Sequence, residues 1–377
     1  MEFRDLKLQY EKYKLEIDSA IQNVISNAQF VGGKVVSELE KQLAEYVGVK
    51  HCITCANGTE ALSLVLMAWG IGKGDAVFVP DFTFFSTGEV VSFRGATPVF
   101  VDVDRDTFNI DVVKLENAIQ KTIEEGKLTP KVVIPVDLFG LPANYIEIEK
   151  IADKYNLLVL EDGAQGFGGS INGKKACSFG DAATTSFFPA KPLGCYGDGG
   201  AIFTNDDELA KLLNSLKVHG KGENKYDNVR VGVNSRLDTV QASVLKVKLK
   251  AFTEHEVEDV NRVYRIYNEK LNGVVTTPII PDGFYSSFAQ YTLKLENKEQ
   301  RDGLQAFLRE NGIPSMIYYV KPMHDQEAFK DLDFDESDYE VTNELCNIVL
   351  SLPMHPYLAD EDIELVSRMV KKYILGT

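Results

Sequence analysis

Short apolar runs and stretches of helical spacing take turns along the first two thirds of the chain. Ala76–Pro80, Pro98–Asp102, Val132–Val136 and Leu157–Leu160 are each dominated by consecutive apolar residues over a strand's length. Runs without polar alternation predict strands covered on both faces. Between such runs, Leu15–Ala28 places its apolar residues at helical spacing and stops before Gly32-Gly33. From about residue 10 to about residue 245 the two patterns alternate, which predicts an α/β fold with a mostly parallel sheet. Ser235–Asn272 contains neither Gly nor Pro and keeps helical spacing, so one or two long helices are expected to lead out of the sheet. Residues 275–377 mix both signals and read as a smaller α+β domain. The expected division is therefore 1–245 for the large domain and 246–377 for the small one.

Composition narrows the function classes. The chain has 377 residues, enough to bury a sizeable core without disulfide staples. Lys plus Arg is 40 and Asp plus Glu is 56, so the formal charge is 40 − 56 = −16. A general binder of nucleic-acid backbone needs a basic face, so no nucleic-acid partner is expected. A local basic pocket for one phosphorylated metabolite remains compatible with that charge. No stretch reaches the apolar length that crosses a bilayer, and Met1–Tyr10 is charged with no apolar signal core. A cytoplasmic protein without a membrane partner is the expectation. The five cysteines are scattered. Cys52 and Cys55 form a lone C-x-x-C with no second ligand pair, so the segment reads as a core strand and no metal site is expected. Asn57-Gly58-Thr59 matches a glycosylation sequon that has no secretory context to give it meaning.

Ligands of parallel sheets bind beyond the carboxyl ends of the strands, and three segments place reactive residue types there. Glu161-Asp162-Gly163-Ala164-Gln165 follows Leu157–Leu160. An acidic residue at the end of a buried strand needs a cationic partner, such as a protonated heterocycle nitrogen, unless it only caps a following helix. Ser186–Gly194 carries Lys191 between Ala190 and Pro192, in apolar and Gly-rich surroundings. A desolvated lysine can act as a Schiff-base nucleophile, although a surface loop lysine has the same local sequence. Ser186 lies five residues earlier and could bond a phosphate. Gly194–Gly200 is too Gly-rich for a helix and suits backbone that passes close to a ligand or another chain. Ala56–Leu62 turns from a weak strand into a helix at Gly58 and Thr59, where amides bind phosphate or a side chain simply caps. There is no P-loop, and Gly70–Asp75 follows a helix, so it reads as a C-terminal turn. Together these make a phosphate cup, a carboxylate for a ring nitrogen and a lysine for an aldehyde, a set that suits pyridoxal phosphate (PLP).

The ordered series Phe30–Gly33, Asn57–Leu62, Gly72–Asp75, Pro80–Phe84, Pro98–Asp102, Glu161–Gln165, Ser186–Gly194, Gly197–Gly200, Gly232–Asp238 and Gln241-Ala242 resembles the DegT/DnrJ/EryC1/StrS sugar aminotransferases. The likeness spans nearly the whole chain. It implies the PLP-dependent transferase fold of type I: a large, mostly parallel sheet of the seven-stranded type with helices on both faces, and a small C-terminal α+β domain. By the resemblance, Lys191 binds the cofactor aldehyde and Asp162 pairs with the pyridine nitrogen. Gln165 lies near the ring hydroxyl, Gly58, Thr59 and Ser186 form the phosphate cup, and Phe84 stacks on the ring. Asn234 reaches the phosphate in the neighbouring subunit, which implies a homodimer with shared sites. Position 163 is Gly where many members have Ala, and Pro192 follows the lysine where many have Asn. Lys191 itself sets the chain apart from a dehydratase branch that carries His there.

Ser186–Gly200 further resembles the subgroup that aminates UDP-2-acetamido-3-keto-glucuronate. In that subgroup the arginine at position 236 holds the sugar carboxylate, a task suited to a bidentate guanidinium; an ion pair with Asp238 is the plainer alternative. His324, in Tyr318–His324, could border the sugar or sit in the core, and His219 receives no role. Tyr264 and Tyr267, at helical spacing, read as packing residues. The implied reaction moves an amino group from an amino acid, expected to be L-glutamate, to a keto group of a nucleotide-linked sugar, for polysaccharide or amino-sugar biosynthesis. Another 3-keto or 4-keto sugar is the nearest alternative. A PLP-binding regulator without turnover and a cofactor-free nucleotide-sugar binder are rivals of other classes.

Overall fold

A computed structural model describes residues 1–224 and 226–376. The expected strands form, with slightly shifted ends: β1 (His51–Cys55), β2 (Asp75–Pro80), β3 (Thr97–Val101), β4 (Thr129–Val133) and β5 (Leu158–Asp162). After the two-residue strands β6 (Ser170–Ile171) and β7 (Lys174–Lys175) come β8 (Ala182–Ser186) and β9 (Gly200–Thr204). Seven of them make one sheet in the order β1-β9-β8-β5-β4-β2-β3. Every pairing from β8 to β3 is parallel, and only β9 runs antiparallel to its neighbours.

Alternate residues explain why these strands read as unbroken apolar runs. Val77, Val79, Val132 and Ile134 face one side, under α3 (Gly58–Ala68), α4 (Ser86–Phe93) and α7 (Asp207–Leu216). Ala76, Phe78, Val133 and Val159 face the other, under α5 (Val112–Glu125) and α6 (Tyr145–Tyr155). Burying each such side chain contributes roughly 1.5–3 kcal/mol, so a polar residue on either face would be costly. Beside β1 and β9, α2 (Lys34–Val47) and α8 (Thr239–Ala251) close a third apolar cluster. The first helix, α1 (Leu6–Asn27), begins well before the expected Leu15, because the Asp5 carboxylate caps it by accepting from Leu8 N at 2.8 Å.

The long Gly-free stretch becomes α8, a π-helical turn (Phe252–Glu256) and α9 (Val257–Leu271). Position 245 falls inside α8, whose Leu245 and Leu249 still pack with the sheet domain. A separate core begins at Val260. It unites α9, β11 (Tyr291–Lys294) and α10 (Lys298–Glu310) with β12 (Val349–Leu352) and α12 (Asp360–Leu375), and β11 pairs antiparallel with β12. The remaining strand, β10 (Phe284–Tyr285), pairs with β6. Helix α11 (Glu340–Ile348) brings Leu345 and Cys346 against Phe82, Phe108 and Phe139, joining the two cores at the carboxyl end of β2. Tyr267 is fully buried and Tyr264 stacks on Phe288, so both are packing residues. Cys52 and Cys55 are buried free thiols in β1, as a core strand requires, and Cys52 is pushed well up by burial.

Candidate active site

The site lies where β5 and β8 end. Asp162, the last residue of β5, is buried. Its carboxylate accepts from Thr87 Oγ1 at 3.0 Å and Ala164 N at 3.2 Å. Burial raises its affinity for a proton, while these donors and Lys191 oppose that. Residues 164–168 are turn and not helix, so Asp162 is no helix cap. Gly163 is also explained: a Cβ there would lie 2.5 Å from Cys177 Sγ. Three residues on, Gln165 is buried; its Oε1 accepts from Phe139 N at 2.9 Å and its Nε2 donates to Tyr319 OH at 3.2 Å.

Lys191 sits in the loop after β8, where its N–H donates to Phe188 O at 2.9 Å. Its amine has no hydrogen-bond partner among the described residues. Burial lowers it to about 8, with Asp162 pulling it up and Arg4 pushing it down. An amine at that value is about one-tenth uncharged at pH 7, hundreds of times more than an ordinary lysine, and so is more available as a nucleophile.

The third wall is the start of α3. Asn57 Oδ1 accepts from Glu60 N at 2.8 Å, so the sequon asparagine is a helix cap. The amides of Gly58 and Thr59 have no helical acceptor and carry the positive end of the helix dipole. A Cβ on Gly58 would stand 2.8 Å from Ser186 Cβ, and one on Gly200 would stand 2.5 Å from the Asn57 carbonyl. The Gly-rich segment therefore passes close to backbone of its own chain, at the phosphate cup. Ser235, fully buried, accepts from Ala56 N at 3.1 Å and holds the same turn.

These features agree with one family. The DegT/DnrJ/EryC1/StrS aminotransferase pattern matches residues 11–371. The chain belongs to this family. A UDP-2-acetamido-2-deoxy-3-oxo-D-glucuronate aminotransferase from Pseudomonas aeruginosa is 45% identical over 97% of this chain and 98% of its own. The pleiotropic regulatory protein of Geobacillus stearothermophilus is 42% identical over 98% and 97%. The solved structure of a DegT DnrJ EryC1 StrS aminotransferase from Brucella abortus superposes with a TM-score of 0.97 at 51% identity, over 99% of both chains.

The residues of this aminotransferase fit PLP: an unpartnered amine, a buried carboxylate, and a helix start whose glycine leaves no side chain between it and Ser186. The other candidates lie further out. Phe84 is 56% exposed, Asn234 and Arg236 are exposed, and no ion pair joins Arg236 to Asp238 among the described residues. His324 is buried, receives its hold from Asp81 (Nδ1 to Oδ2, 2.7 Å) and stacks on Tyr339 at 4.3 Å. None of the contacts of His324 reaches Lys191 or Asp162. Three further residues escape a reading of the sequence. Thr87 donates to Asp162 and lies four residues after Thr83, the one local hint. Tyr319 bonds Gln165 from the small domain. Asp137 is buried behind the site beside Glu161, and burial raises both carboxyls, Asp137 to about 7.

Proposed function

We propose that this protein is a PLP-dependent aminotransferase that transfers an amino group from an amino acid, L-glutamate first among donors, to the keto group of a nucleotide-linked sugar. The observation that carries the reading is the unpartnered, depressed amine of Lys191 beside the buried carboxylate of Asp162. Bound PLP supplies an electron-withdrawing ring that accepts the charge left when the Cα–H bond of the donor breaks. The chain's own groups do the rest. Nζ of Lys191 takes the proton from the donor carbon and returns it as general acid. The Asp162 carboxylate holds a proton on the ring nitrogen, and Thr87 fixes that carboxylate through its Oδ2. Gln165 would lie at the ring hydroxyl, and the amides of Gly58 and Thr59 with the Ser186 hydroxyl would take the phosphate.

UDP-2-acetamido-3-keto-glucuronate is the substrate we favour. The relative from Pseudomonas aeruginosa carries that name, and the exposed guanidinium of Arg236 is free to pair with a sugar carboxylate. His324 would act on the sugar side only through the Asp81 turn that precedes Phe84. The exposed apolar side chains Phe84, Phe188, Val231 and Val233, close in sequence to Thr83, Lys191 and Asn234, support a homodimer in which Asn234 would reach the partner's phosphate cup. Catalysis would take place in the cytoplasm, in the making of amino-sugar polysaccharide.

A panel of amino nucleotide-sugars offered to the PLP-loaded protein tests the reading. The visible band of the cofactor should be lost with the 3-amino glucuronate and not with 4-amino sugars. The name of the Geobacillus relative favours a second reading, a regulator that binds PLP without turnover. It would show the band and no half-reaction with any amino donor.

A further inference from the structure

The loop that carries Lys191 is held only in part by its own backbone, through Lys191 N to Phe188 O at 2.9 Å and Cys195 N to Phe187 O at 2.8 Å. Pro192 has no amide to donate, and the carbonyls of Lys191, Pro192 and Gly194 accept from side chains of distant elements instead. Arg4 Nη2 donates to Lys191 O at 2.8 Å and to Pro192 O at 3.4 Å. Lys248 Nζ, on α8, donates to Gly194 O at 2.8 Å and lies 4.4 Å over the Tyr196 ring. Lys248 is 1% exposed, and Arg4 is half-buried.

Neither cation makes an ion pair among the described residues. The nearest anion, Glu256, already accepts from Gln9 Nε2 at 3.4 Å and from the Tyr357 hydroxyl. Desolvating a cation against neutral carbonyls is costly, and the structure does it twice along four residues of one loop. Arg4 stands just before the Asp5 cap of α1. Its neighbour Phe3 accepts from Met354 N at 3.2 Å and meets the Tyr318 ring at 6.3 Å. The charged N-terminal segment thus runs between the small domain and the lysine loop.

We propose that Arg4 and Lys248 are positioning residues for Lys191, two desolvated cations that pin the carbonyls of its loop and bar a third positive charge at its amine. The proposal rests on Lys191 as the residue that holds PLP. The charged and titratable groups around the brace are Glu256, Tyr357, Tyr318 and His355 at Arg4, Glu256, Cys195 and Tyr196 at Lys248, and Asp162 at Lys191. Acidic groups reach the brace from three places: Asp162 at Lys191, Glu256 at both cations, and Asp5, the residue after Arg4, beside His355. Asp162 acts on Lys191 against Arg4, and Glu256 partly offsets both cations. Removing Arg4 leaves burial alone to oppose Asp162, so the Lys191 amine should become harder to deprotonate.

The test compares Arg4→Met, Arg4→Lys and Lys248→Met with the parent protein. In the cofactor-free protein, a short acetic anhydride pulse followed by mass spectrometry reads the fraction of uncharged Lys191 against pH. The PLP-loaded protein is titrated in parallel through its visible band. Acylation of Lys191 at pH 7 should fall about 3- to 10-fold in Arg4→Met, as expected when one unit charge is removed from a partly buried site. Arg4→Lys should stay within about 2-fold, since it keeps the charge. Lys248→Met should move in the same direction as Arg4→Met and carries the test if that variant does not fold. Acylation and band profiles of Arg4→Met and Lys248→Met that overlay the parent would overturn the brace. A visible band that survives in Lys191→Ala would instead overturn the lysine assignment on which the brace stands.

Discussion

At the floor of the site, Asp162 and Gln165 are buried and their side chains are hydrogen-bonded to their own chain, at 2.9–3.2 Å. At the rim, Phe84, Phe188, Asn234 and Arg236 are exposed, and apolar neighbours such as Val231 stand in water. The floor is preorganised: its carboxylate is oriented before any ligand arrives, so no reorganisation is needed during the reaction. The rim is open in the single chain, and under the proposed function it is where a sugar and a second subunit would bind. The chemical step and the choice of substrate therefore reside in different parts of the molecule, and mutations should separate them.

The largest effect belongs to the floor. Lys191→Ala should lose the cofactor's visible band and lower turnover by about 10³-fold or more, the scale of losing a nucleophile that is also the acid–base group. A band of normal height in that variant would move the chemistry elsewhere. Asp162→Asn should still bind PLP but lose about 10²-fold or more in kcat, because an amide cannot hold the ring proton; rapid single-turnover kinetics separate this from a binding defect. At the rim, Arg236→Gln should raise KM for a carboxylated sugar nucleotide by about 10- to 100-fold with little change in kcat, as removal of a guanidinium–carboxylate pair does. If kcat fell instead and KM held, floor and rim would not be separable.

The smallest effect is on stability and is a matter of sign. Burial holds the Lys191 amine at about 8, below its ordinary 10.5. The folded, cofactor-free protein therefore binds this proton less tightly than the unfolded chain does. Below pH 8 the buried charge destabilises by at most about 3 kcal/mol, and the penalty fades as pH rises from 8 to 10.5. Lys191→Met should be more stable than the parent below pH 8, and urea melts should show the gap closing across that window. A gap that widened with pH would contradict a depressed amine.

Much of the floor was legible in the sequence from an apolar run and from residue type. Asp162 directly ends β5, whose apolar run marks it as a strand, whereas Lys191 follows β8, Ala-Ala-Thr-Thr-Ser, and stands out by its residue type in an apolar, Gly-rich loop. The start of α1 was not legible, because Leu6–Lys14 is too polar to show an apolar face and its capping aspartate has no local signature beyond its type. Gly163 looked like a bare departure from the family until Cys177 was found where a Cβ would point. Thr87 and Tyr319 are not legible for a common reason: their partners are far along the chain. Thr87 meets Asp162 across 75 residues, and Tyr319 meets Gln165 across 154.

By itself the sequence determined the sheet, the reactive residue types at its carboxyl edge and the family, since each depends on local periodicity or on an ordered series of short motifs. The tertiary structure alone decided which carboxylate is oriented and by what, why position 163 has no side chain, and that an arginine 187 residues away grips the loop of the reactive lysine. Such contacts depend on how loops close and elements pack. A hydrogen bond between distant residues leaves no period in the chain that makes it.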